Sequence, residues 1–500
     1  AGALAPREYV EHVSGLRRRL EESWAQQEKV AALKISIQAC KLLGDTSAPA
    51  FYPALFVLVT DLLDAFGAMV FHRIKERAEK VDDPVAAAAA AADEGRGNRG
   101  ADAQPPPPPL QPGHGAGVGA GEGGVPAAAA AAAGQQPLPS GWTHTDVSPE
   151  AQETCRNWFY KTACIRELLP RLLVEMALFP CYRFLVDEDE YPSVLGRLAT
   201  LARGVGDPLV AVYCRCYLAA VGCRAAPDCA GYATTLVHDY LFSFGELRQG
   251  KVSSYLRMCG MSLADYVRLH RPALAWLFQC VGPGATSDVF RQTLRRYRDH
   301  CSSLEVLCLV LQHFSPRHYC HSTLALDMVK LIMEASTPSK CSRAAAVAEL
   351  GRRLTVSPPP PSQAIDVLNA AWQAISVAPY GEFVAGARAW LGLLVGHPSL
   401  YEAQEVGVLL SALSVRVVKE AGAGRQASEQ EPSLGGADRE LEALTGALAA
   451  RPDAETLLAA IGPLVQILGV LERPRRAEAS KHLLDSFLRQ AQQSQASGVM

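Results

Sequence analysis

SPEAQETCRNWFYKTACIRELLPRLLVEMALFPCYRFL, residues 148–185, and YPSVLGRLATLARGVGDPLVAVYCRCYLAAVG, residues 191–222, are separated by a short acidic break and decide how this chain folds. Ser148 supplies a capping oxygen, Pro149 lacks an N–H where none would be bonded, and Glu150 is an acid favoured by the helix dipole. Cys155, Trp158, Phe159 and Ala163 then recur at helical spacing on one apolar face. Pro170 either ends that helix or opens the next, in which Leu173, Met176, Ala177 and Pro180 continue the pattern. Gly204 and Gly206 suit a helix end, and Asp207-Pro208 is a second cap-plus-proline start. Helix follows helix through short joints with no alternating strand pattern. This predicts an all-α fold, a HEAT-like α-solenoid of antiparallel helix pairs.

Working outward, Tyr9, Val13, Leu16, Leu20 and Trp24 form one helical stripe, and Val30, Leu33, Ile37 and Cys40 form another. A third helix, about 53–80, is apolar on several sides through Leu55, Leu58, Leu62, Phe66, Met69 and Val70, which places it inside the stack. Residues 1–83 are therefore read as the N-terminal helices of the solenoid. Residues 84–145 carry alanine runs at 86–92 and 127–133, prolines at 105–109 and a glycine-rich tract at 113–124. That composition cannot offset the entropy of ordering, and a disordered insertion between two helices is predicted. The glycines lack the preceding strand and following lysine of a phosphate loop. The main solenoid is assigned to 146–420, with helices near 230–248, 262–281 (kinked or jointed at Pro272), 287–301, 304–314, 324–335, 342–354, 364–377, 381–395 and 401–420. AGAGRQASEQEPSLGGA, 421–437, reads as a flexible loop, and 438–500 as further, truncated solenoid helices.

Basic residues number 48 and acidic residues 51, for a net charge of −3, which argues against a dedicated nucleic-acid binder. The 14 cysteines are scattered through apolar helical patterns and read as reduced core residues of a cytosolic protein. No uninterrupted apolar run reaches the roughly 18 residues of a membrane span, and the N-terminus lacks a signal-peptide core. The chain begins without methionine, so a fragment is expected. Cys214, Cys216, Cys223 and Cys229 lie close together but lack the paired CxxC knuckles of a zinc site, so core packing is the expectation. His318, Cys320 and His321 read as a polar turn. The acidic run at Asp187, Glu188, Asp189 and Glu190 lacks the ligand spacing of a calcium loop and reads as a solvated joint. Arg291, Arg295, Arg296 and Arg298 read first as a solvated helix face. No nucleophile–base grouping, cofactor motif or metal set stands out, so a non-enzymatic chain without cofactors is expected.

Four tracts carry a family resemblance: KVAALKISIQACKLLGDTSAPAFYPALFVLVTDLLDAFG (29–67), ETCRNWFYKTACIRELLPRLLVEM (153–176), GVGDPLVAVYCRCYL (204–218) and, more weakly, SPPPPSQAIDVLNAAWQAISV (357–377). They resemble the vacuolar-protein-sorting 35-like scaffolds of the Retriever complex, part of the Commander assembly. The chain looks like the N-terminal and middle portion of such a scaffold. The resemblance implies an endosomal recycling role for integral-membrane cargo, peripheral on endosomes from the cytoplasm, with indirect membrane contact. The implied partners are an arrestin-fold subunit (vacuolar protein sorting 26 type) and a phosphoesterase-fold subunit (vacuolar protein sorting 29 type). Further partners are the coiled-coil proteins and COMM-domain ring of Commander and a sorting-nexin adaptor. Retromer's own scaffold shares the motif seen here at Pro170, Arg171 and Leu172, though Leu173 and Val174 stand where that motif has tyrosine and leucine. By resemblance this segment supports the arrestin-fold subunit, with Asp207 and Arg215 as further candidates for the same surface. Arg171 also attracts notice on physical grounds, since a cation at a helix start opposes the dipole unless a partner takes it up. The alternatives are a retromer scaffold proper and a helical regulatory subunit of an unrelated enzyme complex.

Overall fold

The computed structural model describes residues 5–79, 138–229, 231–250, 252–320, 323–336, 339–427, 436–449 and 454–496, and the described residues are helical with no strand among them. Three helices lead: α1 (Pro6–Ala25), α2 (Lys29–Leu42) and α3 (Tyr52–Glu79). Then come α4 (Pro149–Ala163), α5 (Leu168–Ala177), α6 (Tyr191–Ala202), α7 (Pro208–Ala225), α8 (Gly231–Arg248), α9 (Ser253–Met258) and α10 (Leu263–Val281). The series continues with α11 (Ser287–His300), α12 (Leu304–His313), α13 (Leu324–Glu334), α14 (Arg343–Val356), α15 (Ala364–Ser376) and α16 (Tyr380–Gly396). It finishes with α17 (Ala403–Ala427), α18 (Gly436–Ala449), α19 (Ala454–Val470) and α20 (Arg473–Ala496).

From α12 onward, alternate helices stack on one another in two layers. In one layer α7, α10, α12, α14, α16, α18 and α20 stack in succession, and in the other α6 meets α8, α8 meets α11, α13 meets α15, and α17 meets α19. This two-layer stacking is what a solenoid of helix pairs requires, because each pair buries its apolar stripe only against its neighbours. One apolar core runs from Tyr9 to Ala479.

The local signals work as chemistry predicts. Ser148 Oγ accepts from Ala151 N at 3.3 Å, and Asp207 Oδ1 accepts from Leu209 N and Val210 N at 2.9 and 3.1 Å. Pro170 opens α5 as its third residue, where its missing N–H removes no intrahelical bond. Pro272 sits inside α10 on its exposed side, where water can serve the freed carbonyl, so the helix continues through it. The 3-10 turn Pro49–Phe51 and α3 together are long and apolar enough to cross a membrane by composition, yet α3 is a core helix with Val59, Leu62, Leu63, Phe66, Val70 and Ile74 fully covered.

Two expected boundaries move. The disordered insertion, predicted to reach 145, ends earlier: residues 138–145 are placed, and Trp142 is only 8% exposed. Its ring stacks on Phe184 at 4.9 Å, Arg183 lies 4.2 Å over it, and Arg183 Nη2 donates to the Trp142 carbonyl at 2.9 Å. A bulky aromatic at the edge of a low-complexity tract was the signal that composition averaging hid. The rest of the insertion, 84–137, lies outside the described residues. The predicted break at 421–437 is also shorter. Residues 421–427 continue α17, because buried Ala421 extends the stripe of Leu410, Leu413 and Val417, and 436–437 begin α18. Residues 428–435 lie outside the described residues.

The helices on either side of the insertion meet directly. Trp24 of α1 and Phe66 of α3 contact Trp158 of α4 at 6.2 and 5.7 Å, so the insertion leaves and re-enters a single body. Trp142→Ala should lower stability by about 2–3 kcal/mol, somewhat less than for a fully buried tryptophan. Hydrogen exchange would read it as lost protection at 138–147 and in the Phe179–Phe184 turn, with the distal helices α14–α16 unchanged.

Candidate partner-binding site on the fifth helix

The helix α5 begins after Glu167, which forms an ion pair with Lys41 of α2. The helix packs on α2, α3 and α7, and this decides which of its side chains can meet a partner. Leu172 and Leu173 are each 1% exposed and Pro170 is buried. These three, expected to contact the arrestin-fold subunit, instead form the inward face of the helix. Direct contact through them would require α5 to lift off the core. Leu173 fills an apolar site, which accounts for a leucine where the retromer motif has tyrosine.

Arg171 differs. It is only partly buried, and its guanidinium has no hydrogen bond or ion pair with the described residues. It stands one turn into α5, and the partner that the dipole argument called for is not found among the described residues.

The other two candidates separate from it. Asp207 spends its carboxylate on the α7 cap and on Thr46 Oγ1 at 3.4 Å. Its work is structural, tying α7 to the loop after α2. That loop is a hub the sequence reading passed over. Tyr9 Oη donates to Asp45 at 2.5 Å, and Tyr255 Oη donates to the Thr46 carbonyl, so helices far apart in sequence converge on it. Arg215 is 4% exposed, faces the core and leaves its Nε without a partner. Burial lowers its pKa, Asp239 partly offsets that, and Arg203 adds to the lowering. Asp239 is itself bonded to Arg203 Nε at 2.7 Å. Next to Arg215, burial and the guanidinium together push His270 down to about 3, so that imidazole stays neutral. Arg215 is therefore a core residue, and the expectation that it shares a surface with Arg171 is corrected. A helix apolar all round, as α7 is, does not announce which polar residue it swallows.

Toward its C-terminal end, α5 meets α3 at very short range. A Cβ on Gly67 would lie 2.1 Å from the Ala177 carbonyl oxygen. Beside this crossing is a groove of about 420 Å³ walled by Gly67, Phe71, Met176, Ala177, Pro180 and Arg224. Asp64 on its rim accepts from Tyr217 Oη at 2.7 Å and Arg224 Nη1 at 2.9 Å. Glu175, 7% exposed, is held by Tyr182 Oη at 2.9 Å and by Arg197. It braces α5 against the turn that follows and was not visible in the sequence pattern.

The remaining candidate clusters are packing features. Cys214 is buried, and Cys216, Cys223 and Cys229 are partly covered. Among the described residues no group of three or more His, Cys, Asp or Glu is placed to hold a metal ion. His318 stacks on Phe290 at 5.1 Å, Cys320 bonds the Arg317 carbonyl, and His321 lies outside the described residues. Asp187 pairs with His144 at 3.0 Å, and Arg291 with Asp288 at 2.5 Å.

A family model described as VPS35L matches residues 1–93 and 127–269, and one described as the VPS35L C-terminal domain matches 285–500. The chain belongs to the VPS35L family. The protein called VPS35 endosomal protein-sorting factor-like from Danio rerio is 32% identical over 410 residues, covering 82% of this chain and 36% of that one. The Homo sapiens protein of the same description is 27% identical over 492 residues, covering 98% of this chain and 44% of its own length. The Dictyostelium discoideum relative is 29% identical over 412 residues, covering 81% of this chain and 35% of the relative. The chain thus spans well under half the length of these VPS35L relatives. A solved circular tandem repeat protein spans 99% of both chains, but at 11% identity and a TM-score of 0.20 that likeness carries no argument. Within the VPS35L family assignment, α1–α8 fall in the N-terminal match and α11–α20 in the C-terminal one.

Proposed function

We propose that this chain is a non-catalytic scaffold for endosomal protein sorting, the Retriever-type counterpart of the retromer scaffold. It would organise an arrestin-fold subunit and a phosphoesterase-fold subunit for recycling of integral-membrane cargo. Coiled-coil and COMM-domain proteins would join it in Commander, with a sorting-nexin adaptor bringing cargo, the chain itself being cytoplasmic and peripheral on endosomes. The reading rests on VPS35L membership across both halves of the chain, on relatives named as endosomal protein-sorting factors, and on a continuous solenoid whose work is surface presentation. The observation that supports a partner surface on α5 is Arg171, partly buried in the first turns of the helix with a guanidinium unbonded among the described residues. A guanidinium can bind a carboxylate or paired backbone carbonyls bidentately, which makes it a natural anchor.

The test is a pull-down of the chain and of Arg171→Glu against purified arrestin-fold subunits of the Retriever and retromer types. The chain should retain the Retriever type, and Arg171→Glu should weaken that binding by at least about tenfold, the scale of a lost charge-assisted contact. Circular dichroism should be unchanged, since the Arg171 guanidinium makes no hydrogen bond or ion pair with the described residues. Retention of the retromer type alone, or undiminished binding by Arg171→Glu, would refute the assignment of the anchor.

A further inference from the structure

Away from α5, a polar cluster joins α10, α12 and the connection between α13 and α14. Glu305 of α12 is 3% exposed. Its carboxylate accepts from Cys341 Sγ at 2.9 Å, from Ser339 Oγ at 3.3 Å and from Arg271 Nη1 at 3.5 Å. Arg271 Nη1 also lies 4.0 Å from Cys341 Sγ. Cys308 lies one turn after Glu305 on α12, beside the carboxylate that Cys341 bonds, and the two thiols influence each other electrostatically. Cys341 N donates to Ser339 Oγ at 3.0 Å and neighbouring Lys340 pairs with Asp265 of α10, so the segment that carries Cys341 is held against α10 as well as, through Glu305, α12. Both cysteines are free and both keep part of their surface in solvent.

We propose that Cys308 and Cys341 form a reversible oxidation site, in which Cys341 reacts with a hydroperoxide and Cys308 resolves the product to a disulfide. The asymmetry follows from the hydrogen bonds. Cys341 gives its proton toward Glu305 and has Arg271 Nη1 4.0 Å from its sulfur to stabilise an anion, whereas no hydrogen bond from Cys308 to a carboxylate is found among the described residues. Burial pushes both thiols up, Cys308 to about 12, with Arg271 opposing the rise. At rest the pair is therefore protonated and slow to react, and a carboxylate placed to take the proton matters correspondingly more.

In the first step Glu305 accepts the Cys341 proton, the sulfur attacks one peroxide oxygen, and the O–O bond breaks. With hydrogen peroxide Cys341 becomes a sulfenic acid and the departing hydroxide recovers the proton from Glu305 as water, while an alkyl hydroperoxide leaves as alkoxide and takes the same proton to become the alcohol. Cys308 sulfur then attacks Cys341 sulfur. The S–O bond breaks, and the hydroxide leaves with the Cys308 proton as a second water. Two thiols are oxidised, one hydroperoxide is reduced, and a dithiol reductant reverses the result. The bond would staple α12 to the segment leading into α14, fixing the stacking of consecutive repeats at that joint.

The molecule carries its own comparison. Cys280 and Cys223 are a second pair of thiols that influence each other electrostatically, but Cys223 has the Tyr232 phenol at 3.8 Å where Cys341 has a carboxylate. The full chain, reduced and then treated with graded hydrogen peroxide, would be capped with N-ethylmaleimide and mapped by peptide mass spectrometry. Fragmentation separates Cys308 from Cys301, which shares its tryptic peptide. The expected result is a Cys308–Cys341 cross-link that forms at lower peroxide than any Cys223–Cys280 cross-link and disappears with dithiothreitol. In Cys308→Ser, dimedone should label Cys341 as a sulfenic acid that the unsubstituted chain does not accumulate. The proposal is overturned if the Cys223–Cys280 link forms first, if the Cys308–Cys341 link is missing while other cysteines oxidise, or if Cys341 takes no dimedone in Cys308→Ser.

Discussion

Trp390→Ala is expected to cost about 3–5 kcal/mol, the range for removing a fully buried tryptophan. Trp390 has no exposed surface, and its Nε1 donates to the Val347 carbonyl at 3.1 Å. Across the contact, Gly351 lies so close that an added Cβ would sit 3.1 Å from Cε2 and Nε1 and 3.2 Å from Cδ1 of the indole. The indole therefore fills the space between α14 and α16, and alanine would leave a hole that two rigid helices cannot close. In a solenoid the damage stays with the neighbouring repeats, since each contacts only the next. Hydrogen exchange should show protection falling in α14 and α16 while α1–α5 keep theirs. Trp390→Phe should cost only about 1–2 kcal/mol, because most of the ring volume remains and the Val347 carbonyl keeps its helical role. Uniform loss across the chain, or no loss with Trp390→Ala, would show that this joint is not a local keystone.

Gly67→Ala should destabilise the N-terminal helices by about 2–4 kcal/mol, at or above the usual range for overpacking. In an ordinary exposed helix the same change would stabilise by about 1 kcal/mol. The sign reverses here because the new methyl would stand 2.1 Å from the Ala177 oxygen and 3.0 Å from its carbon, both backbone atoms with no rotamer to yield. The helices α3 and α5 would have to part, carrying the groove and Arg171 with them. Gly196→Ala is the matched control: it lies inside α6 with nothing within 4 Å of its would-be Cβ, and it should be neutral or slightly stabilising. Thermal melts followed by circular dichroism distinguish the two. Similar melting of both variants would mean that the α3–α5 crossing relaxes freely.

Much of this architecture is local chemistry and was legible in the sequence. Ser148-Pro149 and Asp207-Pro208 start α4 and α7 because a capping oxygen and a proline satisfy a helix start whatever surrounds them. The predicted helix over 364–377 is found at Ala364–Ser376, and that over 304–314 at Leu304–His313, because apolar spacing needs only the near chain. The same local signals implied a stack of helix pairs, and the family resemblance rested on tracts of them.

What the pattern could not assign was which side of each helix meets which neighbour. Leu172 and Leu173 became core while Arg171 stayed outside because α2, α3 and α7 close over one face of α5. Arg215 went inward because α7 is covered on nearly every side, so an arginine there had no free surface to reach. Asp207 meets Thr46, and Cys341 meets Glu305, across sequence separations of 161 and 36 residues. Helical periodicity sets which residues share a face. Only the stacking of distant helices decides whether that face meets protein or water, and so whether a charged or nucleophilic side chain there anchors a partner, braces the core or waits for an oxidant.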